Sequence, residues 1–190
     1  MILRGEIRPD APLAVLAVEE EAAHLGDGLP VLLTGMGKVN AATALAQVLA
    51  SGPKPSLVLN LGTAGALRPG WAGVHEIGTV LQHDLDTDLL RTLTGQTYGA
   101  PLTLGAPTAV LATGDAFIAD EDARARLARR ADLVDMEGYA VAWAASRAGV
   151  PCRLVKRVSD DAGDGADRAW RDAVDDSARD LADWVRAEFG

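Results

Sequence analysis

Apolar residues fall in short unbroken runs, and between them lie stretches with helical spacing. LAVLAV (13–18), VLLTGMG (31–37), SLVLNLG (56–62), EIGTVLQHD (76–84), PTAVLAT (107–113), LVDM (133–136) and CRLVKRVS (152–159) read as buried strands, two of them continuing into glycine turns. A helix is expected to open at EEEAAHL, and others at 38–50, 120–130, 138–149 and from about Ala166 to Glu188. In the last, Trp170, Val174, Ser177, Leu181 and Trp184 recur three or four residues apart, a stripe expected to anchor the core. Apolar strands alternating with helices predict an α/β protein whose largely parallel sheet is covered on both faces.

Composition adds bounds to that picture. At 190 residues, 48% of them hydrophobic and 24% charged, the chain fits one domain spanning 1–190 with a full core. The net charge of −9, with no basic stripe to offset it, argues against a nucleic-acid partner. No run reaches the roughly 18 apolar residues of a membrane span, and no leader pattern opens the chain. The single cysteine, Cys152, excludes an internal disulfide. Placed in VPCRLV, it reads as a small buried hydrophobe in a protein of the reducing cytoplasm.

In a sheet of this class ligands bind beyond the carboxyl ends of the strands. Glu19, Glu20 and Glu21 follow the first run, GMGKVN (35–40) the second and GTAGAL (62–67) the third. TGDAFI (113–118), Met136 and Glu137, and Ser159 and Asp160 follow later runs, so several carboxylates converge on one rim. GMGKVN lacks the spacing of a nucleotide phosphate loop and reads as a tight strand-to-helix turn. His83-Asp84-Leu85-Asp86 is too sparse for a metal site, and no nucleophile elbow or catalytic-thiol context appears. In GTAGAL, glycines 62 and 65 let the backbone approach a small ligand and Thr63 adds a hydroxyl, though a plain turn is the equal alternative. Asp135 and Glu137 either cap a helix beginning at Gly138 or serve a ligand. Asp160 is either a cap or an acid held protonated by burial, and the acids 19–21 either complement the dipole of a helix start or point one carboxylate over the rim as a general base.

In order along the chain, VEEEAAHL, TGMGKVNAA, LVLNLGTAGAL, EIGTVLQHDLD, ATGDAFI, VDMEGYAVA and VKRVSDDA resemble the purine nucleoside phosphorylase superfamily. More narrowly they are similar to its 5′-methylthioadenosine/S-adenosylhomocysteine nucleosidases. The resemblance implies a single-domain phosphorylase/hydrolase-like fold with a mixed, mostly parallel sheet flanked by helices. It also implies a cofactor-free homodimer in which a neighbour's loop closes the pocket for the 5′ group. The implied reaction is hydrolysis of the N-glycosidic bond of a 5′-modified adenosine to adenine and the ribose product.

Carried over residue by residue, the resemblance makes Glu21 the activator of water and Asp160, supported by Ser159, the hydrogen-bond partner or proton donor of purine N7. Glu137 would hold the ribose hydroxyls with Met136 beneath the sugar, Phe117 would stack on the purine and the backbone of Ile118 would read its edge. Thr63 would help build the water or ribose pocket. Family phosphorylases carry Arg at the strand end where this chain has Asn60 and Leu61, which favours hydrolysis, with Arg68 left as a nearby cation. A phosphorylase, a hydrolase of a futalosine- or inosine-like nucleoside, and a non-catalytic nucleoside-binding protein are the alternatives.

The chain departs from the family at four places. GDGLP replaces a longer segment before VLLTG; Asp135 and Gly138 stand where Glu and Ala are common; Lys156-Arg157 replaces Arg and a small residue; and residues 85–105, expected to shape the 5′ pocket, match poorly.

Overall fold

The computed structural model describes residues 1–190. The apolar runs become β2 (Pro12–Leu16), β3 (Val31–Leu33), β4 (Leu57–Ala66), β5 (Val74–Gln82), β7 (Ala109–Thr113), β8 (Leu133–Asp135) and β9 (Cys152–Asp160). The helices are α1 (Lys38–Ser51), α2 (Thr87–Thr94), α3 (Glu121–Leu127), α4 (Gly138–Ala148) and α5 (Ala166–Phe189). Three elements fall outside the expected set: β1 (Ile2–Arg4), β6 (Leu102–Thr103) and α2. β1 is wholly exposed and α2 buries no residue, so neither leaves a burial pattern that periodicity can detect.

Two expectations fail. GTAGAL (62–67), expected to follow its strand as a turn, is itself mostly strand, since β4 runs on to Ala66 and pairs with β9 as far as Gly65. EEEAAHL does not open a helix; it forms a single 3₁₀ turn over Glu20–Ala22, and the chain then runs directly to β3. Glu21 and Ala22 are the buried residues of that turn, so the triple acid presents one carboxylate inward rather than a solvated first helical turn.

The sheet is mixed, in the order β1-β3-β2-β4-β8-β7-β5-β6. β9 pairs with both β4 and β5, which closes β4, β8, β7, β5 and β9 into a ring. The pairs β2–β3, β2–β4, β4–β9, β5–β7 and β7–β8 are parallel. β1–β3, β4–β8, β5–β6 and β5–β9 are antiparallel. Helices α1 and α4 cover one face through Leu45, Leu49, Val141 and Ala145, packed with Leu13, Val15 and Val58. On the other face Leu181 and Val185 of α5 meet Leu16, Leu59, Leu61 and Val155. Burying a side chain such as Leu59 or Leu181 contributes about 1.5–3 kcal/mol. The two apolar faces therefore hold the carboxyl ends of the parallel strands together at one rim.

Candidate active site

A cavity of about 240 Å³ opens at that rim. Glu21, Thr63, Phe117, Ile118, Met136, Glu137, Ser159 and Asp160 all line it, so the eight candidates scattered through the sequence meet in one place. Met36, Asp135, Asp167, Trp170 and Arg171 line it too.

Glu21 is 6% exposed. Its Oε1 accepts hydrogen bonds from the Thr63 amide at 2.8 Å and the Thr63 hydroxyl at 2.9 Å, while Oε2 takes no donor from the protein. The Thr63 hydroxyl also accepts from the Trp170 indole N–H at 2.9 Å, so α5 is fastened to the site. The stripe on α5 is thus a core anchor at Leu181 but not at Trp170, whose place near the start of the helix overhangs the rim.

The pair in VDMEGY divides its work. Asp135 is the helix partner: its Oδ2 accepts from the Gly138 amide at 2.8 Å, and its Oδ1 from the Thr113 hydroxyl at 2.6 Å. Glu137 does not cap its own helix; its Oε1 accepts the Gly37 amide at 2.7 Å, across the rim in the β3–α1 turn. Gly37 occupies the left-handed region at φ 92°, where a side chain would be strained.

Beneath these acids lies Lys156, 1% exposed, with its ammonium 2.9 Å from Asp135 Oδ2. Burial opposes its charge, but Asp135, Glu137 and Glu21 outweigh that cost and hold its pKa above the ordinary lysine value. One buried cation cannot balance two buried carboxylates and the half-buried Glu137. Glu137 bears the difference: burial and the neighbouring Asp135 push its pKa up to about 8. Lys156 had drawn notice in the sequence only as a departure from the family, because a lysine in a strand otherwise reads as solvent-facing.

Asp160 accepts from the Ser159 hydroxyl at 2.7 Å and from the Ala162 amide at 2.8 Å. The second bond closes a turn ahead of α5, whose N-cap is Gly165 without a side-chain bond, so Asp160 does not cap that helix. Burial raises its pKa even though both donors pull the other way. Arg68 lies elsewhere. β4 runs antiparallel to β8, so the chain leaving β4 passes the start of β8, where Arg68 donates to the Ala128 carbonyl and pairs with Asp132 at 3.1 Å. Arg68 therefore offers no phosphate site at the rim. Residues 85–105, expected to shape the 5′ pocket, do not line the cavity. Cys152 is half-buried, and burial pushes its thiol up to about 12, in keeping with an inert side chain.

A family model described as the phosphorylase superfamily matches residues 23–102 and 82–187. The chain belongs to the phosphorylase superfamily. Among this superfamily's proteins, the 5′-methylthioadenosine/S-adenosylhomocysteine nucleosidase of Oceanobacillus iheyensis is 28% identical over 85% of this chain and 81% of its own length. The aminodeoxyfutalosine nucleosidase of Campylobacter jejuni is 30% identical over 86% of this chain and 81% of its own. A Helicobacter pylori MTAN mutant, solved with 5′-methylthioadenosine in its active site, superimposes with a TM-score of 0.82 at 20% identity, covering 94% of this chain and 97% of that one. At that identity the match speaks for the fold, and the phosphorylase-superfamily α/β architecture is the one described above.

Proposed function

We propose that this protein is a purine nucleosidase that hydrolyses the N-glycosidic bond of a 5′-modified adenosine. The observation that carries the reading is the convergence of three differently held carboxylates, Glu21, Glu137 and Asp160, on one cavity. The relatives and solved neighbours named as nucleosidases support the reaction class.

Breaking this bond builds positive charge on the ribose and negative charge on the base. Glu21 has one oxygen immobilised by Thr63 and the other free of protein donors, the arrangement required to orient a water and take its proton. Asp160 favours its protonated form more than an ordinary aspartate does, which suits donation to N7 of the leaving purine. Glu137, held by the Gly37 amide, is placed for the ribose hydroxyls; Met136 packs under the sugar, and Phe117 and Ile118 receive the base. Lys156 keeps the acidic floor folded and Arg68 is turned away, while Arg171 on α5, the one cation that lines the cavity, is paired with Asp167 at 3.0 Å.

The 5′ group falls between methylthio, homocysteinyl and the substituent of an aminodeoxyfutalosine-like nucleoside, the last kept by the Campylobacter relative. We assign the protein to a homodimer on the exposed apolar face of α2, where Leu89 and Leu93 are 51% and 70% exposed. No helix is long and apolar enough to cross a membrane.

The test is free-base release from 5′-methylthioadenosine, S-adenosylhomocysteine, aminodeoxyfutalosine, adenosine and inosine, with and without phosphate. Asp160→Asn and Glu21→Gln are run beside the wild type. Phosphate-independent adenine release that drops at least about 10²-fold in both variants supports the proposal. Turnover only with phosphate makes the protein a phosphorylase, and binding without base release makes it a nucleoside-binding protein.

A further inference from the structure

Outside the cavity, a closed polar circuit joins the three strand ends that carry its upper wall. The Lys38 ammonium donates to Asp84 Oδ1 at 2.5 Å and to Gln82 Oε1 at 3.0 Å, both at the end of β5. The Lys38 amide, opening α1, donates to Asp115 Oδ1 at 2.8 Å. The Asp115 amide, following β7, returns to Asp84 Oδ2 at 2.9 Å. Lys38, Gln82, Asp84 and Asp115 do not line the cavity, yet their chain neighbours do: Met36 precedes Lys38, and Ala116, Phe117 and Ile118 follow Asp115.

Packing confirms how closely these turns meet. A Cβ on Gly37 would come within 3.1 Å of Asp115 Oδ1, and one on Gly114 within 2.3 Å of the His83 ring. Gly37 also supplies the amide that holds Glu137. Phe117 itself is 47% exposed, and of this loop Ile118 packs against the buried cluster of Leu67, Leu81 and Val134. That packing anchors the loop's far end, and the hydrogen bonds at Asp115 hold its root. The ammonium of Lys38 is only 18% exposed as a side chain, which shields its pairing with Asp84 from full solvent screening.

We propose that Lys38, Asp84 and Asp115 form a positioning clasp that sets the 115–118 loop against the β3–α1 turn, and so fixes both the face that receives the base and the amide that holds Glu137. The role rests on the nucleosidase reading for its kinetic consequence but not for its structural one. Lys38 acts through these neighbours and touches no reacting atom. Removing the clasp withdraws binding that ground state and transition state share, which raises KM more than it lowers kcat.

The experiment compares wild type with Lys38→Met, Lys38→Arg, Asp84→Asn and, as a remote control, Lys54→Met. Amide hydrogen exchange of the peptide spanning residues 112–120 is measured first, because it needs no substrate. Lys38→Met and Asp84→Asn are expected to accelerate exchange there, with Tm within a few degrees of wild type because a partly exposed ion pair contributes little to global stability. KM for the substrate identified above is expected to rise about tenfold in both, with a smaller change in kcat, and Lys38→Arg to recover most of it. Lys54→Met should change neither. Unaltered exchange at 112–120 in Lys38→Met overturns the clasp. So does faster exchange without a rise in KM in an enzyme that turns over. Wild type that releases no base defeats the nucleosidase reading alone, and exchange together with nucleoside affinity then decides the clasp.

Discussion

Substituting Glu137 by Gln removes a titratable group while keeping an oxygen for the Gly37 amide, and its effect on stability must depend on pH. In the folded protein this carboxyl titrates at about 8, against 4.5 in an unstructured chain, first because it is buried and then because Asp135 lies beside it. Between those values the folded state holds a proton that the unfolded state has released. Stability from this group is therefore complete below about pH 4.5, falls as pH rises through the window, and levels off above about 8. At 1.36 kcal/mol per pKa unit the shift corresponds to about 5 kcal/mol at most, and solvent reaching the half-buried carboxyl brings the loss across the window to about 2–4 kcal/mol. Lys156 titrates above the ordinary lysine range and does not enter this window. The Gln variant has no such proton to lose. Its Tm should gain on wild type by roughly 5–15 °C between pH 5 and pH 9, at about 2–4 °C per kcal/mol for a chain of this size. Paired thermal melts at pH 5, 7 and 9 check this. A difference between the two proteins that stays constant over that range refutes the reasoning. The same titration bears on function: a protonated Glu137 accepts ribose hydroxyls poorly, so wild-type KM should fall from pH 6 to pH 8.

Three other changes probe the site and its support. A methyl at Gly65 would stand 2.9 Å from Asp160 Oδ1 and 2.9 Å from the Ala162 Cβ, so Gly65→Ala should displace the acid and lower base release about 10²-fold. Circular dichroism must show a native fold for that loss to count. Lys156→Met leaves Asp135 and Glu137 without their buried cation, and urea unfolding at pH 7 should show about 3–5 kcal/mol less stability. A loss below about 1 kcal/mol would mean that the acids shed their charge at little cost. Leu93→Glu, on the exposed face of α2, should turn a dimer into monomers in light scattering while leaving the monomer's melting behaviour nearly unchanged.

Much of the fold was legible because burial on both faces writes strands as unbroken apolar runs. LAVLAV, SLVLNLG and CRLVKRVS needed no tertiary information to be read as β2, β4 and β9. The rim followed from the same reading, since parallel strands align their carboxyl ends and the polar residues after them must share one edge. β1 and α2 left no such trace because they pack on one side or not at all, and periodicity records only what is buried. The EEE segment misled because a row of acids suits a helix start as well as it suits one inward carboxylate on a 3₁₀ turn.

Within the site the sequence supplied the residue types, the order and, through the family resemblance, the roles for Glu21, Glu137 and Asp160. Dividing Asp135 from Glu137 was beyond it. Both lie beside a helix start, and only the approach of Gly37 from a turn one hundred residues earlier draws Glu137 away. Trp170 fitted a core stripe by spacing, yet the length of α5 carries its first turns past the sheet edge and onto Thr63. Lys156 and Lys38 were the least legible, since a lysine's surroundings depend on what folds around it. Local spacing thus determined which elements form and where their polar ends gather. The tertiary structure decided which carboxylate keeps its proton, because the cost of a buried charge is set by distances between segments far apart in the chain.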